Sequence, residues 1–159
     1  MPKIRKRVVY LIVTLVVVSP VIALAILSAL ATTPTNLGVV DGRLADCPNT
    51  PNCVSTQARD TEHEIQAIAI DGSLDDAMSQ LKAAIATIPR LRIVSETENY
   101  LHAEATSAIF RFQDDVEFFI DPEAKIIHFR SASRVGKSDL GANRARMEAI
   151  RKAFEQERR

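Results

Sequence analysis

The side chains able to do chemistry gather between Ile109 and Arg146. Asp114, Asp115 and Glu117 sit close together, with Glu104 upstream and His102 and His128 to either side. Carboxylates beside a histidine are the material of acid–base catalysis, and a hydrolase is the reaction class they would serve. Arg130, Arg134 and Lys137 follow, then Ser138 and Asp139. That group suits recognition of an anion, because guanidinium and ammonium groups pair with carboxylate or phosphate. A helix start just beyond would add free amide groups and the positive end of its dipole. The competing reading is that Asp139 satisfies those amides itself. The loop is not a phosphate-binding Walker motif, and no nucleophile motif or metal signature is present.

Two strands must position these groups. Val116–Ile120 and Lys125–Ser133 are rich in Val, Ile and Phe and alternate in polarity. Asp121-Pro122-Glu123-Ala124 between them reads as a tight turn. Closing the hairpin there pairs Asp121 with Ile126, Phe119 with His128, Glu117 with Arg130 and Asp115 with Ala132. One face then carries Val116, Phe118, Ile120, Ile127 and Phe129; the other carries Asp115, Glu117, His128, Arg130 and, further on, Arg134. A slip of one residue would mix the faces. The charged face has two readings. It is the floor of a polar cleft, or it is a solvated surface with a Glu117–Arg130 pair worth about 0.2–1 kcal/mol.

The remaining elements surround the hairpin. Glu64–Ile70 alternates as a first strand, and Asp71-Gly72 turns the chain. Ser73 with Asp76 resembles a capping box. Leu74, Ala77, Met78, Leu81, Ile85 and Ile88 form a helical stripe that Pro89 ends. Leu91–Glu96 and Tyr100–Thr106 read as two further strands, joined at Glu98-Asn99. Leu101, Ala103 and Ala105 share one face of the second, and Tyr100, His102, Glu104 and Thr106 the other. Ile109–Phe112 reads as the start of the next strand, bent at Gln113-Asp114. A last helix from Leu140 buries Met147, Ile150 and Phe154 beside Ala153. Asn143 falls on its inner side and needs a hydrogen-bond partner there. Asp114, Asp139, Asn143 and Arg144 are therefore assigned to a structural network, with Asp114 or Asp115 pairing with Arg144 or Arg134.

The expected fold is α+β: strand, helix, four strands, helix, as an antiparallel sheet with both helices on its single apolar face. The topology resembles the TATA-binding-protein-like or helix-grip class, a likeness of fold alone. The formal net charge is +0, so no basic excess points to nucleic acid.

The N-terminal third has a different character. Lys3, Arg5, Lys6 and Arg7 precede an uncharged apolar run, Val8–Ala31. At about 1.5 Å per residue the run can cross a hydrocarbon core of about 30 Å. Segment 1–7 reads as a cytoplasmic basic flank and 8–31 as a membrane anchor, or else a signal peptide cleaved after Ala29-Leu30-Ala31. The expected location is the inner (cytoplasmic) membrane, crossed once, with the folded part on the exported, periplasmic side. Residues 32–60 read as a linker and cysteine loop, and 61–159 as the soluble domain. Cys47 and Cys53 are the only cysteines. In an exported chain such a pair reads as a disulfide, with a weak metal site or a redox pair as alternatives. No metal or cofactor is expected.

Four strings carry a family resemblance: GRLADCPNTPNCVST (Gly42–Thr56), YLHAE (Tyr100–Glu104), FRFQDDVEF (Phe110–Phe118) and RSASRVGKSDLGANRAR (Arg130–Arg146). In this order they closely resemble the domain of unknown function 1499 family. The resemblance implies a membrane-associated or exported single domain with no settled activity, so no catalytic role is carried over. The leading expectation is a binding module for an anionic or amphiphilic ligand near the membrane, using Arg130, Arg134, Lys137, Ser138, Asp115, Glu117, His102, Glu104 and His128. A structural or interaction module for another envelope protein, and a hydrolase, are the alternatives.

Overall fold

A computed structural model describes residues 3–158. The outer ends of the flank 1–7 and of the domain 61–159 lie outside the described residues.

The chain opens with α1, Lys3–Ala29, which contains Pro20. Its apolar side chains project outward with nothing packed on most of them. It is long and apolar enough to cross a membrane, with a mean hydropathy of 2.7. At 1.5 Å per residue it measures about 40 Å.

The folded part is an antiparallel sheet with two helices on one face. In chain order come β1 (Cys53–Ser55), β2 (Ile68–Ala69), α2 (Leu74–Ala86), β3 (Leu91–Glu96), β4 (Tyr100–Thr106), β5 (Gln113–Asp121), β6 (Ile126–Ser133) and α3 (Ala142–Glu157). The sheet order is β1-β6-β5-β4-β3, and β2 also pairs with β6. The outer edge of β6 is thus shared: Ala132 and Ser131 face Cys53 and Val54, while Ile127 and Ile126 face Ile68 and Ala69.

The hairpin forms in the expected register, with Glu117 opposite Arg130 and Phe119 opposite His128. Asp121 fixes it from one end, since its carboxylate accepts the amides of Glu123 and Ala124. Val116, Phe118, Ile120, Ile127 and Phe129 pack under Ala77, Met78, Leu81 and Ile85 of α2 and Met147, Ile150 and Phe154 of α3. The capping box of α2 is present: Ser73 accepts the Asp76 amide, and Asp76 accepts the Ser73 amide.

Four expectations change. Residues 32–60 are more than a linker, because Cys53–Ser55 is a strand of the sheet. The proposed first strand shortens to Ile68–Ala69, while Ile65 and Ile70 still reach the core. Ile109–Phe112 is a turn that breaks the chain before β5, where Arg111 takes the left-handed conformation at φ 56°. The last helix begins at Ala142, since Leu140 and Gly141 are left-handed and cannot continue a right-handed helix backwards.

Candidate functional site

The face of the sheet away from the helices is polar and buried. β4, β5 and β6 place Tyr100, His102, Glu104, Asp115, Glu117 and Arg130 on it through the period-two alternation, and Arg134 follows directly after β6, its amide donating to the Gln113 carbonyl. Arg134 is the hub. Its Nε and Nη2 fork onto both oxygens of Asp115 at 2.9 and 2.7 Å, and it also reaches Glu104 and Gln113. His102 Nε2 completes Asp115 at 2.8 Å. Arg92 holds the second oxygen of Glu104 at 2.9 Å. Beside this group, Glu117 takes Arg130 at 3.1 Å and the Tyr100 hydroxyl at 2.9 Å. Arg130 pairs with one arm only, for its Nε is buried without an acceptor.

A cover explains the burial. The segment before β1 crosses this face, and the Gly38 amide donates to Glu117 Oε1 at 2.8 Å. Gly38 has φ 110°, which a side chain would disfavour, so glycine lets the amide turn inward. Leu44 is buried beneath the strap, and Gln57 ties it down by accepting the Leu44 amide and donating to the Gly42 carbonyl. Of the two readings of this face, the solvated surface is ruled out: Glu117 is 0% exposed and Arg130 6%.

Electrostatics follow from this closure. Burial pushes the Asp115 carboxyl upward, but the Arg134 and His102 hydrogen bonds more than reverse it, leaving it below the usual range. Hydrogen bonding to Asp115 first, and to Glu104 after it, holds Arg134 more firmly protonated than usual. Burial, then the Glu117 charge, raises the Tyr100 hydroxyl. His128 lies at the margin, stacked on Phe119 with centroids 6.1 Å apart and 3.1 Å from the Thr56 hydroxyl. Burial lowers its pKa, opposed by Asp121 and assisted by Arg43.

A second polar cluster occupies the helix side, at the same end of β5 and β6 as the Asp115–Arg134 group. Asp114 pairs with Arg146 at 2.6 Å, not with Arg144 or Arg134. Arg146 also donates to Asn143 and Ser131, and Asn143 donates to the Asn52 carbonyl and Ser133 hydroxyl. Arg144 instead holds the carbonyls of Glu62 and Glu64. Asp139 accepts the Gly141 and Asn143 amides, so the helix start is occupied by a side chain. Lys137 is exposed, and Ser138 accepts only the Leu140 amide; neither joins the sheet network.

Between α1 and the domain lies a cavity of about 240 Å³. Leu24 and Leu27 of α1 with Phe112 and Val135 form its apolar walls; Asp114, Ser133 and Ser138 are among its polar ones. Sequence reasoning missed this seam because its walls come from four separate stretches without shared periodicity. It also missed Gly38 and Arg146. Arg146 had a signal, since it lies one turn from Asn143 on the inner side of α3.

Cys47 and Cys53 form a disulfide with Cα atoms 5.7 Å apart. Among the described residues, no group of three His, Cys, Asp or Glu side chains is placed to hold a metal ion.

The cysteine loop, the sheet network and the α3 cluster all fall within residues 43–154, which match the family model described as "Protein of unknown function (DUF1499)". The chain belongs to this family. The strap residue Gly38 lies just ahead of the matched DUF1499 segment. The chain matches no curated protein.

Proposed function

We propose that this chain is a membrane-anchored, exported DUF1499 domain that binds an amphiphilic molecule at the seam between α1 and the folded part. The 240 Å³ cavity carries this reading, for it joins apolar walls from the anchor to polar groups of the domain. Drug-sized pockets run roughly 300–1,000 Å³, so this one suits a single chain or small head group. The apolar α1 and the disulfide support an anchor and an oxidising, periplasmic setting. Arg130 and Arg134 are committed to buried carboxylates, which speaks against the anionic ligand expected on the sheet face. For that face a structural role is the better reading.

Native mass spectrometry of the full chain, released gently from nanodiscs, tests the seam. The wild type should retain an amphiphile that Val135→Trp, filling the cavity, loses. Equal retention by both, or a bare wild type, would contradict the proposal.

A further inference from the structure

The folded domain carries two isolated apolar side chains at its α1 end. Leu140 is 97% exposed and Ile109 82%, more than any large apolar residue the structure describes. Leu140 is held left-handed at φ 55°, a conformation that non-glycine residues uncommonly adopt. Water thus meets an apolar side chain on a strained backbone.

Both lie beside the membrane helix. Ile109, Phe110 and Arg111 share a cleft of about 540 Å³ with Val21, Ala25, Ser28 and Ala29. Val21 lies eight residues before the end of α1, or about 12 Å along it. The turn is therefore level with helix surface apolar enough to sit in lipid. Leu140 follows the loop Val135–Asp139, which reaches the same helix end through Leu24 and Leu27.

Irregular backbone at that level must satisfy its own polar groups. The turn does so. The Ser107 amide donates to the Phe112 carbonyl, the Phe112 amide to the Ser107 hydroxyl, and Ser28 of α1 donates to the Arg111 carbonyl at 2.8 Å. Arg111 and Lys137 are exposed beside the two apolar tips, where cations meet head groups.

We infer that the domain is seated on the bilayer, with Ile109 and Leu140 inserted among the outer lipids as two wedges beside α1. This rests on α1 spanning the membrane and is independent of the seam ligand. Seating would keep the cavity mouth at the lipid surface.

The chain contains no tryptophan, so each introduced one reports alone. Full-length Ile109→Trp, Leu140→Trp, Leu15→Trp and Val94→Trp variants would be placed in nanodiscs whose lipids carry bromine at defined depths. Leu15 lies mid-helix, and Val94 is on β3, an edge strand of the sheet. We expect blue-shifted emission at positions 109 and 140, quenched by bromines near the head groups. Position 15 should be quenched by deep bromines and position 94 by none. If position 15 is quenched while 109 and 140 emit like 94, the seating is overturned and the anchor stands. If position 15 escapes quenching, the anchor fails and the seating with it.

Discussion

His63 shows how one residue sets a pH response. Its ring is buried, with Nδ1 2.7 Å from Asp60 Oδ1 and Nε2 3.1 Å from the Thr50 carbonyl. Both partners accept, so only the doubly protonated imidazolium satisfies them. Burial lowers its pKa, but the hydrogen bonds to Thr50 and Asp60 outweigh that, and the folded value is raised above the ordinary 6.5. Its contribution to stability is complete below about pH 6.5 and is lost as pH rises through the folded value. Imidazole NMR should therefore show a titration above the free-histidine midpoint, with loosening of the 47–53 loop as the ring deprotonates. His63→Phe should remove the pH dependence of that loop. Asp115 has the opposite sign: its folded pKa is depressed, so its contribution is present above about pH 4 and lost as pH falls through the folded value. Acid unfolding should begin in the Arg134 network, visible as early amide exchange in β5.

At the scale of elements, the hairpin was legible and its cover was not. Alternation of Val116, Phe118 and Ile120 against Glu117 and Phe119, closed by the Asp121 turn, determines the register without any other part of the chain. The Glu117–Arg130 pair follows from that register alone. Its burial depends on Gly38 and Leu44, in a stretch of Gly, Pro and Asn with no period to read. The same absence hid β1, whose three residues are too few to show alternation. Asp114 shares the parity of Val116, so the helix side was its place, and Arg146 rather than Arg144 faces it. Gly38→Ala meets no atom within 4 Å, so its cost is that of the positive φ alone, roughly 1–3 kcal/mol. Hydrogen exchange should show the strap opening more often while the sheet core is unchanged. Reducing Cys47–Cys53 should cost less than the roughly 3 kcal/mol of a 15-residue loop. The loss should concentrate in β1 and the outer amides of β6 that pair with it, again read by exchange.

In the whole molecule, the two faces of the sheet divide the labour. The helix face holds the apolar core, and the opposite face holds a closed set of charges. Removing one member of a buried ion pair typically costs about 3–5 kcal/mol, because the survivor stays buried and uncompensated. Replacing both members with apolar groups costs much less. A charged face that served as a binding floor would behave otherwise, since its arginine would be free to go.

The decisive measurement is hydrogen exchange of the full chain in nanodiscs, following the β5 and β6 amides in Arg130→Ala, Glu117→Leu and the double variant Glu117→Leu/Arg130→Met. On a structural reading of the sheet face, each single change lowers core protection by roughly 3–5 kcal/mol and the double variant recovers most of that loss. Arg130→Ala with wild-type protection would contradict it and return the sheet face to the list of binding sites.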